Sequence, residues 1–188
     1  MIQRIQILRF SEGQRQEKMT GNEINLAQML ERRELRARNQ QNFLDKYHSP
    51  LVSFTMNIPG PIKTNELIRR AFDIGEILLL EGLRHIDAEI LDAHEVHDDT
   101  GDELLLSVGN AEPESLKDMA MTIENSSEIG RLFDIDVIDS NGNKLSRKNF
   151  RKCLICERQA QECARSRTHS VKEMQNAIDI LLSNTFSS

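Results

Sequence analysis

The residues of this sequence best suited to chemistry are two aspartates in the run Gly130-Arg-Leu-Phe-Asp-Ile-Asp-Val137. If this run is a β-strand, Asp134 and Asp136 point to the same face, because residues two apart lie on one side of a strand. Paired carboxylates suit Mg²⁺, which typically takes one or two of them together with substrate phosphates. A bound Mg²⁺ neutralises charge on a transferring phosphoryl group. The alternative is an edge strand with a solvated acidic face.

Cations near this pair, and in a second segment, are candidates for binding phosphate. Residues 57–65 read Asn-Ile-Pro-Gly-Pro-Ile-Lys-Thr-Asn, between a predicted strand and a predicted helix, and a helix N-terminus offers free N–H groups to an anion. The alternative is a rigid turn with solvated surface cations. The candidate phosphate-binding residues are Lys63, Arg69 and Arg70 after that segment, Gly130 and Arg131 before the aspartates, and Arg33 and Arg36 of the first predicted helix.

Three cysteines and a histidine near the C-terminus form a second candidate site. Cys153 and Cys156 have the Cys-x2-Cys spacing, and Cys163 and His169 follow. Tetrahedral zinc is bound by Cys₃His sets in structural sites. The later spacings differ from those of a standard zinc finger, so reduced, half-buried thiols are the alternative. An odd number of cysteines does not make a disulfide framework.

The most basic stretch of the chain surrounds these cysteines. Such a stretch could bind an anion or simply be solvated at the surface. It consists of Arg147, Arg151, Lys152, Arg165 and Arg167.

The hydrophobic pattern predicts the elements that must position these residues. Predicted helices span residues 26–47, 113 to about 123, and 171–182, and another begins after Thr64 or Asn65 and carries apolar residues to Leu80. Predicted strands span residues 51–56, 85–93, 104–108 and 131–138, with turns at 98–102 and 140–143. The result is an α+β domain with a mixed, mostly antiparallel sheet flanked by helices.

Composition excludes several classes of protein. The 188 residues fit one domain, and 38% are hydrophobic. A net charge of −6 and 4% aromatic residues argue against a nucleic-acid binder, which needs surplus cations and stacking rings. No apolar run approaches the ~20 residues of a membrane span. Arg4 and Arg9 interrupt the only apolar stretch at the N-terminus, so we expect a cytoplasmic protein with no membrane partner.

Three blocks of the sequence together point to one family. They are Leu51-Val-Ser-Phe-Thr with Pro59-Gly-Pro-Ile-Lys63, then the run that holds the two aspartates, then Cys153-Leu-Ile-Cys156 with Cys163-Ala-Arg and His169. In order and spacing they resemble the apo-citrate lyase phosphoribosyl-dephospho-coenzyme A transferases, also called citrate lyase holo-acyl-carrier-protein synthases. The resemblance runs from about Leu26 to the final helix.

The resemblance implies an enzyme that performs a reaction related to nucleotidyl transfer on a nucleotidyltransferase-like fold. The donor would be 2'-(5''-triphosphoribosyl)-3'-dephospho-coenzyme A, and the acceptor a serine of the citrate lyase acyl carrier protein, the gamma subunit. Mg²⁺ would lie on Asp134 and Asp136, Gly130 and Arg131 would touch the phosphates, and Lys63, Arg69, Arg70 and Arg36 would be further phosphate ligands. Two other functions stay open: a non-catalytic, zinc-stabilised interaction module of a lyase complex, and the same transfer onto another carrier, such as that of a malonate decarboxylase.

The resemblance also suggests a division of the chain. Residues 1–23 would be a polar lead-in that could be disordered, residues 24–150 the catalytic core, and residues 151–188 a helical Cys/His-containing segment packed on it. Either translation would naturally start at Met19 or the lead-in would be dispensable, and loss of activity on deleting residues 1–18 would refute this hypothesis. No general base or third carboxylate is assigned, and Glu124 and Glu128 are candidates only because they precede the aspartates.

Overall fold

A computed structural model describes residues 19–147 and 149–186 of the chain. The helices are α1 (Leu26–Tyr47), α2 (Glu66–His85), α3 (Pro113–Asn125), α4 (Ala160–Ser166) and α5 (Val171–Phe186), with a 3₁₀ helix at Ile129–Leu132. The strands are β1 (Leu51–Met56), β2 (Glu89–Asp98), β3 (Gly101–Gly109) and β4 (Phe133–Ile138). Among the described residues, no helix is both long and apolar enough to cross a membrane.

The four strands form one sheet in the order β2-β3-β1-β4, and every neighbouring pair is antiparallel. β1 is central and β4 lies at an edge. In the β1–β4 register, Thr55 lies opposite Asp134 and Ser53 opposite Asp136. The predicted α+β class with an antiparallel sheet is therefore confirmed, and so is a helical C-terminal segment that carries the cysteines and the histidine.

One face of the sheet carries the main core, which α2, α3 and α5 cover. Phe54 of β1 stacks on Phe72 of α2 with ring centroids 4.7 Å apart, and it meets Phe133 of β4 edge-on at 5.4 Å. A Cβ at Gly75 would lie 2.4 Å from the Phe54 ring, so glycine is needed where α2 crosses β1. This packing fixes one face of β4 firmly against the core.

The opposite face of the sheet is covered by α1, which packs on β1 and β3. A capping box of Asn25 and Gln28 starts α1, and His48, in the left-handed region with φ 51°, ends it before Pro50. Below the helix, Arg32 forms an ion pair with Glu103 at 2.7 Å. Because α1 lies over β1 and β3, the face of β4 that carries the aspartates is left open.

Several predicted boundaries are wrong. The strand predicted to end at residue 93 continues to Asp98, and the strand predicted from residue 104 begins at Gly101. At two other strand starts, a helix occupies the positions where a strand was expected. The strand predicted from His85 begins at Glu89, because α2 continues to His85 and is followed by a turn that contains Asp87 with φ 53°. The strand predicted from Arg131 begins at Phe133, after the 3₁₀ helix.

The predicted N-terminal lead-in lies mostly outside the described residues, which begin at Met19. The part that is described packs on the core. Met19 is buried, and Glu23 forms a β-bridge with Ile62. The other division, at residue 150, stays a prediction.

Candidate functional site

Asp134 and Asp136 lie side by side on the open face of β4. The alternation predicted from the sequence is observed: Phe133 and Ile135 are buried, while Asp134 is exposed and Asp136 is partly buried. Hydrogen bonds to β1 along the whole strand hold both backbone positions. The two carboxylates are therefore aligned by the sheet itself.

The outer edge of β4 is covered by side chains. Edge strands expose unpaired backbone groups that can recruit another strand. The Ile135 N–H donates to Glu124 Oε1 at 2.9 Å, and the Ile135 carbonyl accepts from Lys117 Nζ at 3.1 Å. The Phe133 carbonyl accepts from the Arg151 guanidinium. These contacts satisfy the edge and fix two cations next to the aspartates.

A cavity of about 850 Å³ opens over this part of the sheet, and both aspartates line it. Its volume is within the usual range for sites that hold a small molecule or cofactor. Four cations line it together with the aspartates: Lys117 of α3, Lys144 after β4, and Arg147 and Arg151 of the basic stretch. A site with this mixture of charges can bind phosphate groups through the cations and a divalent cation through the carboxylates.

Glu124 organises the two arginines of this cavity. Its carboxylate is 4% exposed and binds Arg147 at 2.7 Å and Arg151 at 2.9 Å. One oxygen also accepts the Ile135 N–H. Because both oxygens are engaged in these contacts, Glu124 is not a free third carboxylate or general base in this arrangement. Its place in the sequence suggested only that it lay near the aspartates.

The two lysines of the cavity differ in their surroundings. Burial lowers the pKa of Lys117, although the nearby Glu124 and Asp136 carboxylates oppose this shift. Lys144 is exposed and pairs with Asp136. The Lys117 ammonium is thus held at the Ile135 carbonyl, whereas the exposed Lys144 is free to exchange Asp136 for another anion.

Asp134 also lines a second, smaller cavity of about 160 Å³. Asn57 and Asp134 line both cavities. The predicted phosphate ligands Lys63 and Arg36 line the smaller one, as does Arg33. These residues therefore share a cavity with Asp134, but this cavity is separate from the one that both aspartates line.

The other four predicted phosphate ligands contact different parts of the protein. Arg69 binds the buried Asp102 at 2.9 Å, and the Arg70 guanidinium lies 4.3 Å from the centre of the Phe186 ring. Arg131 donates to the Cys153 carbonyl. A Cβ at Gly130 would lie 2.7 Å from the carbonyl oxygen of Ile123, so this glycine allows close packing against α3. The structure does not bring these four residues to the aspartates.

Cys153, Cys156, Cys163 and His169 come together as predicted. Their ligand atoms all lie within 4.8 Å of one another, with 3.5 Å between Cys156 Sγ and Cys163 Sγ and 3.2 Å between His169 Nε2 and Cys156 Sγ. Among residues 19–147 and 149–186 this is the only group of three or more such side chains able to hold a metal. Three thiols and an imidazole at these separations fit one tetrahedral metal ion.

The surroundings of the cluster shift the pKa values of two of its thiols in opposite directions. A hydrogen bond from His169 is the largest influence on Cys156 and lowers its pKa to about 6. Burial raises the pKa of Cys163 to about 11. A thiolate at Cys156 is already the form that binds a metal.

The cluster adjoins the large cavity through a short backbone loop. Cys153 N–H donates to the Arg158 carbonyl at 2.8 Å, and Ala160 N–H donates to the Arg151 carbonyl at 2.8 Å. Lys152 and Gln159 form a β-bridge between these bonds. The loop that carries two of the cysteines therefore starts at Arg151, whose side chain reaches the cavity.

Similar proteins identify the family. Residues 24–185 match the family described as apo-citrate lyase phosphoribosyl-dephospho-CoA transferase. A protein of that name from Citrobacter koseri is 35% identical over 176 residues, which cover 92% of this chain and 96% of the relative. Another from Escherichia coli O1:K1 is 34% identical over 165 residues, or 86% of this chain and 90% of the relative. The chain therefore belongs to the apo-citrate lyase phosphoribosyl-dephospho-CoA transferase family.

Proposed function

We propose that this chain transfers the phosphoribosyl-dephospho-CoA group from 2'-(5''-triphosphoribosyl)-3'-dephospho-CoA to a serine of the citrate lyase acyl carrier protein. The serine oxygen forms a bond to the inner phosphorus of the triphosphate. The bond from that phosphorus to the outer diphosphate breaks, its electron pair leaves with diphosphate, and the serine proton passes to solvent. Family membership supports the transfer and its dephospho-CoA substrate.

The observation that carries this proposal is the pair Asp134 and Asp136 in a cavity lined by four cations. A triphosphate donor needs positive charge along its length and a site for a divalent cation at the reacting phosphorus. The aspartates of the edge strand would supply the site for the divalent cation, and the four cations of the cavity would supply the positive charge. Preorganised charge of this kind is the largest contribution in most phosphoryl transfers.

Asp134 and Asp136 would hold Mg²⁺. The fit rests on two adjacent oxygen ligands that face one cavity, the number that Mg²⁺ usually takes from a protein beside substrate phosphates. When bound, Mg²⁺ would neutralise developing charge on the phosphates. Lys144 would exchange its contact with Asp136 for a phosphate oxygen, while Arg147 and Arg151, oriented by Glu124, would bind the donor.

The Cys/His cluster would hold a structural Zn²⁺. All four ligand positions would be taken by protein side chains, as in closed structural sites, so no coordination position would be open for substrate. Because the loop of the cluster starts at Arg151, a bound metal would fix the backbone from which this arginine reaches the cavity. The zinc site and the transfer site would therefore be linked without sharing a ligand.

Intact-mass measurement of the carrier protein tests the transfer. The purified chain, Mg²⁺ and the triphosphoribosyl donor are incubated with apo citrate lyase carrier and, in parallel, with apo malonate decarboxylase carrier. We expect the mass of the phosphoribosyl-dephospho-CoA group to be added to the citrate lyase carrier, and not to a variant whose acceptor serine is alanine. No addition to either carrier, from a chain that contains one zinc, would instead favour a non-catalytic zinc module.

A further inference from the structure

The smaller cavity, next to Asp134, has a charge balance different from that of the large one. Two carboxylates line it besides Asp134, and both are already neutralised. Glu103 binds Arg32 and Arg36, and Asp102 binds Arg69 and accepts from Thr64 and His97. The negative charges of Glu103 and Asp102 are therefore already compensated by these ion pairs.

Two cations of this cavity, Arg33 and Lys63, remain without a counterion. Within the described part of the chain, neither has a carboxylate at ion-pair distance. Lys63 is half-buried, and its ammonium donates to the Ile58 carbonyl at 2.6 Å. Burial lowers the pKa of Lys63, and the charge of Arg33 lowers it further. Two cations that repel one another in a concave site favour an anion between them.

The size of the cavity limits what this anion can be. A volume of about 160 Å³ is below the roughly 300–1,000 Å³ of sites that hold drug-sized ligands. It equals about five water molecules at their share of liquid volume, ~30 Å³ each. The cavity suits a small inorganic anion such as one or two linked phosphates, whereas a nucleoside needs the larger one.

We propose that Arg33 and Lys63 form a subsite for diphosphate, which receives the outer two phosphates of the triphosphate and holds them as they leave. This inference rests on the proposed function. In an in-line displacement the attacking and leaving oxygens lie on opposite sides of the phosphorus. Asp134 lines both cavities, so a phosphorus beside it can have its leaving diphosphate in the small cavity. The serine oxygen would then enter from the large cavity, opposite the leaving oxygen, and the rest of the donor would also lie in the large cavity.

Calorimetric titration of the full chain with inorganic diphosphate in the presence of Mg²⁺ tests the subsite. Arg33→Ala and Lys63→Met should each weaken diphosphate binding by about tenfold or more, since each removes a charge-assisted hydrogen bond. Arg38→Ala is the matched control, because Arg38 lies on the same helix as Arg33, is exposed, does not line either cavity and pairs with Glu34 at 3.9 Å. It should bind diphosphate like the unchanged chain.

The titration contains neither donor nor carrier protein, so its result is independent of whether transfer occurs. Absence of diphosphate binding to the unchanged chain, or equal binding by all three variants, would overturn the subsite. A loss of binding in Lys144→Ala but not in Arg33→Ala would move the diphosphate to the large cavity and also overturn it. Circular dichroism of each variant, with its thermal midpoint, shows whether the fold is retained. If Lys63→Met does not fold, diphosphate binding by Arg33→Ala decides the outcome, because Arg33 is exposed and its replacement should not affect folding.

Discussion

The two candidate metal sites of this protein are built in opposite ways. Asp134 and Asp136 lie on a strand whose backbone is paired to β1 along its length and whose other face is packed in the core. The cysteines and the histidine lie on a loop, the seven-residue helix α4 and the segment after it. The carboxylates are positioned by the sheet, whereas the thiols and the imidazole are positioned by short local backbone contacts, such as that of the Cys153 N–H with the Arg158 carbonyl.

This difference predicts different roles for the two metals. A site on a rigid strand can bind and release its cation together with substrate without a change in the fold. A site on loops gains its order from the ion, so that the free energy of metal binding becomes free energy of folding. We therefore expect the aspartate pair to control turnover and the Cys/His cluster to control stability.

The largest expected effect is the loss of transfer in Asp134→Asn or Asp136→Asn. Each should lower kcat/KM by about a thousandfold, or ~4 kcal/mol of transition-state stabilisation, because a metal ligand is lost. The thermal midpoint should change little, since neither side chain is in the core. Asp73→Asn on the exposed side of α2 is the control. Unchanged turnover in both aspartate variants would contradict the claim that the aspartate pair controls turnover.

Removal of the second metal should act on stability first. Cys163→Ser should abolish the bound zinc and lower the thermal midpoint by about 10 °C, as expected when ~4 kcal/mol of ligand stabilisation is lost. Metal analysis and differential scanning calorimetry measure the two effects. Cys163 is buried, so the substitution could also disturb packing. Chelation of the unchanged protein provides the second readout, and an unaltered midpoint after zinc removal would contradict the structural role.

Glu124→Gln should have a moderate effect on turnover by way of the arginines. The amide can still accept the Ile135 N–H, but it loses the charge that orients Arg147 and Arg151. We expect kcat/KM to fall about tenfold, mostly through a higher KM for the donor, consistent with one weakened charged contact. Glu114→Gln in the first turn of the same helix is the control. A fall in kcat alone would indicate that Glu124 acts on the reaction rather than on donor binding.

The smallest expected effect concerns pH and stability. The pKa of Lys117 is lowered by burial, so between that value and its ordinary pKa the unfolded chain binds more protons than the folded chain. Stability therefore rises with pH in this alkaline window, and the penalty for burying the charge is fully present below it. Lys117→Gln should flatten this rise in urea unfolding measured at several pH values. An identical slope in the variant would show that Lys117 is not the group responsible.

Sequence alone was sufficient where local pattern decides structure. The limits of α1 follow from Asn25 and from the break at His48–Pro50, and the strand 51–56 follows from its branched and aromatic residues. The alternation of buried and exposed positions from Phe133 to Asp136 placed both aspartates on one face. The Cys/His grouping was likewise predictable, because its ligands are close together along the chain.

Only the tertiary structure decided which cations belong to the site. Glu124 and Lys117 lie on α3, and they reach Ile135 because the helix packs beside the edge of β4. Arg131 lies three residues before Asp134 in sequence, yet it contacts Cys153, because the chain there forms a 3₁₀ helix instead of extending the strand. The period of a strand is a property of neighbouring residues. The set of charges that surrounds a strand depends on which distant elements pack against it, and sequence spacing does not contain that information.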